Sequence, residues 1–180
     1  MAKLVGKRYA LALFEAGLEL NNLEKFKEDI KSITEVIEKE ELLQKVLKHP
    51  KISKDEKKEL LTSIFKEQVS QEILNFLYVI IDKRREGFIL DISKEFVKLF
   101  NEHNNILEVT AVTAVEMDNK MKDKLITVLS NKTKKKIILN NAIDKNIIGG
   151  VLLKVENKII DGTIKGQLQN IERAIKGATI

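Results

Sequence analysis

The sequence predicts a mainly α protein: an N-terminal six-helix bundle (1–105) followed by a small α/β C-terminal domain (106–180). Three observations predict it. Apolar residues recur at helical spacing in six successive stretches as far as about residue 104, with short polar or glycine and proline breaks between them. From Ile106 the period changes to alternation in ILEVTAVTAV, which is rich in Val and Thr and reads as a strand. The composition, 43% hydrophobic and 33% charged over 180 residues, suits a folded, helix-rich chain with a sizeable core.

The first helix is Lys3 to Leu20, and Asn21-Asn22 breaks it. Asn22 is placed to cap a second helix, Leu23 to Glu38, with Phe26, Ile30, Ile33 and Ile37 on one face. A short third helix, Glu40 to Leu47, turns Leu43, Val46 and Leu47 inward and ends at His49-Pro50, because the residue before a proline disfavours helical torsions. Ser53-Lys54-Asp55-Glu56 has the form of a capping box, and the helix it opens carries Leu60, Leu61, Ile64 and Phe65. A fifth helix begins at Ser70-Gln71-Glu72-Ile73 and runs to about Arg85. Gly87 precedes a sixth, Ile89 to Asn104.

Two of these helices carry more apolar surface than one core contact requires. The first has Leu4, Leu11 and Leu18 on one side and Val5, Tyr9, Ala12 and Ala16 on another. In the fifth, Ile73, Phe76, Leu77 and Ile80 form one stripe, and Leu74, Tyr78 and Ile81 a second. Central burial within the bundle accounts for this pattern. A groove that accepts an amphipathic helix from a partner accounts for it equally well, since small residues such as Ala12 and Ala16 let such a helix approach closely.

Beyond the strand at Ile106–Val115, Asp118 is placed to cap a helix from Asn119 to Leu129, with Met121, Leu125 and Val128 along one face. Lys136 to Asn140 gives a second short strand. The stretch IDKNIIGGVLLKVENKIIDGTIKGQLQNI, Ile143 to Ile171, supplies two more: Val151-Leu152-Leu153 with Val155, then Ile159-Ile160 across a tight connection at Glu156-Asn157-Lys158. Asp161-Gly162-Thr163 is expected to turn the chain, with Asp161 or Thr163 capping a last helix from Ile164 to Lys176 whose Ile164, Leu168, Ile171 and Ile175 share a face. Two helices on one side of a sheet complete the domain. Gly149-Gly150 lacks the Lys-Ser or Lys-Thr of a phosphate loop and the G-x-G-x-x-G spacing, so a bulge or close backbone crossing at a strand start is its expected role.

Little in the chain supports catalysis. There are no cysteines, His49 and His103 have no metal-ligand spacing, and the serines have no nucleophile motif. Carboxylates such as Glu38, Glu40, Glu41, Asp55 and Glu56 lie among lysines, as on solvated helix faces. No enzyme activity and no cofactor are expected. No apolar stretch is long enough to span a bilayer, and Glu15 and Glu19 interrupt the N-terminal apolar run, which reads as an amphipathic helix and not a signal peptide. The net charge of +5 is confined to residues 106–180, with 13 basic against 8 acidic residues, while residues 1–105 hold 19 of each. The run Lys132-Thr133-Lys134-Lys135-Lys136 would attract phosphates, and a basic nucleic-acid-binding protein with a helical partner domain is the alternative reading. Residues 106–180 contain no aromatic side chain on which bases could stack, which favours a solvated loop guarding a strand edge.

The Ile143–Ile171 stretch resembles the C-terminal signature of the δ subunit of F-type ATP synthases, the oligomycin-sensitivity-conferring protein family. Ile143, Asp144, Gly149, Gly150, Asp161, Gly162 and Gly166 stand at the matching positions. KRYALALF at the N-terminus and NFLYVIIDKRREGFI at residues 75–89 are similar to that family's first helix and its fifth helix with the following turn. Lys83-Arg84 departs from the Asn-Gly of many relatives. The resemblance implies a non-catalytic stator subunit, peripheral on the cytoplasmic face of the cell membrane. Its bundle would hold the N-terminal segment of an α subunit, and its second domain would hold the b subunits of the peripheral stalk, with no nucleic acid partner and no direct membrane insertion. Carried over, Tyr9, Ala12 and Ala16 of the first helix and Tyr78, Val79 and Asp82 of the fifth lie on the receiving face.

Overall fold

The computed structural model describes residues 2–155 and 158–177. The chain is mainly helical with a four-stranded C-terminal sheet, and it divides into two compact units, Met1–Phe100 and Asn101–Ile180. Before the sheet come α1 (Ala2–Glu19), α2 (Leu23–Lys39), α3 (Glu41–Lys48), α4 (Lys54–Phe65), α5 (Gln71–Asp82) and α6 (Ile89–His103), with a 3-10 turn at Glu86–Phe88.

Phe26, Ile33, Leu61, Phe65, Ile73, Leu77 and Phe96 form the centre of the first core, and each such side chain stabilises by roughly 2 kcal/mol when fully buried. The face expected of α2 is buried in full, from Phe26 to Ile37. Ser53 and Glu56 form the capping box. The Glu56 N–H donates to Ser53 Oγ at 3.2 Å, and the Ser53 N–H donates to Glu56 Oε2 at 2.8 Å. These bonds hold the Glu56 carboxyl below the usual carboxylate range.

Helix ends account for three departures from expectation. α1 closes with Asn21 in the left-handed region (φ 52°), where the Asn22 N–H reaches the Gly17 carbonyl at 3.0 Å and the Asn21 N–H that of Leu18 at 3.1 Å. Asn22 does stand at the α2 N-cap, but its ψ of 23° is not the extended geometry that aims a capping side chain, and it makes no cap bond. α5 ends at Asp82, three residues before Arg85, by the same device. Arg84 takes φ 54°, and the Arg85 and Arg84 N–H groups donate to the carbonyls of Ile80 and Ile81, both at 2.9 Å. At its other end the Ser70 side chain makes no cap bond. Instead the buried Asp29 of α2 accepts the Ser70 N–H at 2.7 Å and pairs with Lys25 at 3.0 Å, tying α5 to α2.

The second unit contains β1 (Ile106–Thr113), α7 (Asn119–Thr133), β2 (Lys136–Ile143), β3 (Gly150–Val155), β4 (Lys158–Thr163) and α8 (Ile164–Gly177), with a 3-10 turn at Lys145–Ile147. The strand order is β2-β1-β3-β4. β1 and β2 run parallel, from Ile106 opposite Lys136 to Thr113 opposite Ile143, and so require the α7 crossover; the other pairs are antiparallel. Leu107, Val109, Ala111, Ile137 and Leu153 pack with Leu129 and Leu125. Asp118 caps α7 by accepting the Met121 N–H at 2.7 Å.

β1 stops two residues before Val115, where the Thr113 hydroxyl donates to the Val115 carbonyl at 2.6 Å and bends the chain. β2 extends three residues past Asn140, and its Asn141 amide donates to the Ala111 carbonyl at 3.0 Å and to Thr113 Oγ1 at 2.9 Å. α7 runs one turn past Leu129. Its inward positions are Leu125 and Leu129, while Met121 and Val128 are exposed. The expectation of two helices packed on the sheet is met by α7 only, because Ile164, Leu168 and Ile171 of α8 are exposed. The Ile175 side chain and the hairpin residues Glu156-Asn157 lie outside the described residues; Val155 opposite Lys158 marks where that hairpin closes.

The Ile143–Ile171 stretch is held by close backbone contacts. Asp161-Gly162-Thr163 is the end of β4 and not a turn, and α8 follows directly. A Cβ on Gly150 (φ 82°) would stand 2.4 Å from the Gly162 carbonyl oxygen, so Gly149-Gly150 is the close crossing expected at a strand start. Thr163 caps α8 by accepting the Gly166 N–H at 2.9 Å. Asp161 Oδ1 holds Thr163 in place, accepting its N–H at 2.9 Å and its hydroxyl at 2.7 Å. A Cβ on Gly166 would stand 2.5 Å from the Asp161 carboxylate, which explains the glycine. Asp144 accepts the Asn146 N–H at 2.9 Å and starts the 3-10 turn after β2.

Two outcomes follow from these local geometries. Arg84→Gly relieves a left-handed non-glycine residue and should stabilise the chain by about 0.5–1 kcal/mol in denaturant melts; a destabilised variant would show that the Arg84 side chain matters more than its torsion. The hydrogen bonds from Thr163 hold the Asp161 carboxyl below its usual range. A depressed folded-state value means that the stabilisation is present at neutral pH and is lost as pH falls below about 4 through that value. Amide-exchange protection at the start of α8 should therefore decline on acidification, and Asp161→Asn should show weaker protection at pH 7 with no such decline.

Candidate functional site

The two helices with excess apolar surface resolve differently. In α5 Ile73, Leu77 and Ile80 of one stripe and Leu74 and Ile81 of the other are buried while Phe76 and Tyr78 are half-buried, so central burial accounts for most of that helix and leaves a margin at Tyr78 and Val79. α1 buries Gly6, Ala10, Leu13 and Gly17, a line between its two apolar stripes. Gly17 permits this: a Cβ there would stand 2.8 Å from Leu23 Cδ1 and 3.1 Å from Phe26 Cδ2 on α2. Phe14 meets Phe96 of α6 edge-on, with ring centroids 6.5 Å apart. The leucine stripe of α1 stays outside. Leu4, Leu11 and Leu18 are 76%, 46% and 41% exposed.

On α1, Tyr9 and Ala16 are half-buried and Ala12 is exposed, along one flank of the buried line. On α5, Val79 is 47% exposed, and Tyr78 is half-buried with its hydroxyl 2.6 Å from Thr62 Oγ1. Asp82 pairs with Lys58 at 2.6 Å, which holds its carboxyl below the usual range, and Lys54 Nζ donates to its carbonyl at 2.8 Å. Lys58 also lies 5.9 Å from the centre of the Tyr78 ring, so Tyr78 and Asp82 share one cation. Among the described residues no hydrogen bond joins the α1 set to the α5 set.

The second unit has an apolar surface of its own. Ile164, Leu168 and Ile171 of α8 are 48%, 59% and 56% exposed. Ile164 is continuous with the turn before β3, since its N–H donates to the Gly149 carbonyl at 3.1 Å and a Cβ on Gly149 would stand 3.0 Å from Ile164 Cδ1. In that turn Ile148, 70% exposed, adopts φ 68° and ψ −50°, and the Gly149 N–H closes on the Ile147 carbonyl at 2.8 Å. Ile143, Ile159 and Ile160 are exposed as well. The residues expected to carry the family signature lie around this surface: Asp161 and Gly166 fix the start of α8, Gly150 and Gly162 cross closely where β3 meets β4, and Asp144 starts the turn before Gly149. Periodicity found the α8 stripe but assigned it to the core; the absence of a polar residue from the Ile159-Ile160 pair was the available signal that apolar surface exceeded what the sheet could bury.

Other candidates have structural explanations. His49 Nδ1 accepts the Lys51 N–H at 3.3 Å, and among the described residues no cluster of His, Asp and Glu could hold a metal ion. In the lysine run Lys134 ends α7 in the left-handed region (φ 58°), and Lys136 opens β2, an edge strand.

Comparison with known proteins places this architecture. Residues 5–175 match the family model described as ATP synthase delta (OSCP) subunit. The chain is 43% identical over 175 residues to the ATP synthase subunit delta of Alkaliphilus oremlandii and 41% identical over 175 residues to that of Desulforamulus reducens, in each case covering 97% of both chains. Among solved structures, a chain of the Toxoplasma gondii mitochondrial ATP synthase hexamer has the same fold, with a TM-score of 0.80 at 17% identity over 94% of this chain and 96% of that one. With the family model spanning nearly the whole length and relatives above 40% identity, this chain belongs to the ATP synthase delta (OSCP) subunit family.

Proposed function

We propose that this chain acts as a stator by binding twice, once to the catalytic head of an F-type ATP synthase and once to its peripheral stalk. The six helices of the first unit act as the bundle that receives the N-terminal helix of an α subunit, along Tyr9, Ala12 and Ala16 of α1 and Tyr78, Val79 and Asp82 of α5. The second unit receives the C-terminal end of the membrane-anchored b subunits on the α8 face. The observation that carries this reading is the uncovered apolar stripe of α8 on the second unit, joined on the first by a half-open face where Val79 and Ala12 are exposed and Tyr9, Ala16 and Tyr78 are half-buried.

The mechanics follow from the load. Rotation of a central shaft exerts torque on the head, and a tether that resists it must dissociate slowly. Apolar helix-in-groove burial suits that demand better than exposed ion pairs, which salt screens. Among the described residues no helix is long and apolar enough to cross a membrane. In this reading the chain attaches to the cytoplasmic face of the cell membrane through the b subunits, and ATP and ion chemistry belongs to other subunits.

Two titrations of the full chain test the two ends. A peptide copying the N-terminal segment of the host α subunit should bind one-to-one in calorimetry, with binding lost in Ala12→Glu and kept in Leu11→Glu. The reverse pattern would move the seat to the leucine stripe, and no binding would remove the α1 anchor. A soluble C-terminal fragment of the host b subunit should bind at least about tenfold more weakly to Leu168→Asp, with the α-peptide affinity unchanged. Equal b-fragment affinity in the variant would place the stalk contact elsewhere.

A further inference from the structure

A second kind of surface lies on the first unit, where residues 48–57 and the turn after α5 enclose a cleft of about 310 Å³. Its walls carry Lys48, Lys51, Lys54, Lys57 and Arg84 against a single carboxylate, Glu86. Lys57 and Glu86 bond each other and are 6% and 11% exposed, so that pair cancels within the wall. Four cations remain. Lys54 donates to the Asp82 carbonyl and its charge is partly met by the Asp82 carboxylate, while the side chains of Lys48, Lys51 and Arg84 have no hydrogen bond or ion pair among the described residues. Arg84 adds its charge from a left-handed backbone position (φ 54°) that is strained for any residue but glycine or asparagine.

We propose that this cleft binds an anion carrying two linked phosphoryl groups. Four like charges around one concavity repel one another until an anion enters. A single phosphate carries at most about two negative charges at neutral pH and leaves part of the positive charge unmatched. A diphosphate carries more charge and fits easily in the volume. Pro50 and Ile52 are the only apolar walls and no aromatic ring lines the cleft, so a nucleobase would find no stacking platform. The site therefore recognises the diphosphate itself, whether as inorganic pyrophosphate or as part of a nucleoside diphosphate whose base stays in solvent.

Calorimetric titration of the full chain with pyrophosphate at about 20 mM salt tests this. One-to-one binding is expected, about tenfold tighter than for inorganic phosphate, weakened several-fold by Lys51→Ala and by Arg84→Gly, and weakened again at about 200 mM salt. Denaturant melts of both variants separate lost affinity from lost folding, and each should keep a cooperative transition not appreciably weaker than that of the unsubstituted chain. ADP as tight as pyrophosphate would identify a nucleotide source, and ADP much weaker an inorganic one; AMP should bind no better than phosphate in either case. Absence of pyrophosphate binding at low salt, binding unchanged in both variants, or binding of a polyglutamate peptide in place of pyrophosphate would overturn the proposal.

Discussion

In the second unit Ile148, Ile164, Leu168 and Ile171 stand in water on a turn and helix whose starting points are fixed by Asp161, Gly150 and Gly162. Apolar surface exposed in this way forgoes roughly 25 cal/mol for each Å² that a core would have covered. The hydrogen bonds from Thr163 to Asp161 keep α8 from starting elsewhere, and the Gly150–Gly162 crossing keeps the hairpin beneath it in register. The unit thus presents an apolar helix face at a defined place, as a docking face requires.

The first unit makes the same compromise by another route. Gly17 brings α1 close to α2 and uses Gly6, Ala10 and Leu13 as the inward line, leaving both larger apolar stripes of the helix outside or at the margin. Buried Asp29 holds the start of α5 against α2, so α5 can be apolar on two sides and still be central. α5 therefore supplies mainly core, with a margin at Tyr78 and Val79, and α1 mainly surface, although their sequences look alike.

That contrast marks what was legible in the sequence. Helix spacing in α2, the Ser53 capping box, Asp118, the change of period at Ile106 and the Gly149-Gly150 crossing depend on local rules, and the structure carries each of them. What escaped depends on contacts between segments distant in the chain. Gly17 was not read as a contact point because its role appears only when Leu23 and Phe26 lie against it. Asp161-Gly162-Thr163 has the composition of a turn, but pairing of Gly162 with Val151 holds it as strand. α8 has a core-like stripe because a stripe made for a partner obeys the same periodicity as one made for a core. The basic run at Lys132–Lys136, which opened a nucleic-acid reading, ends a helix and begins an edge strand.

A stator of this kind joins head and stalk only if one chain binds both at once. Sedimentation of the host catalytic head, a soluble b dimer and this chain measures it directly. A single ternary particle is expected when the intact chain is present, and none when the chain is omitted or supplied as two pieces cut after Asn105, between α6 and β1. Association of head and b dimer without the chain, or binding of the two partners to it in competition, would contradict it.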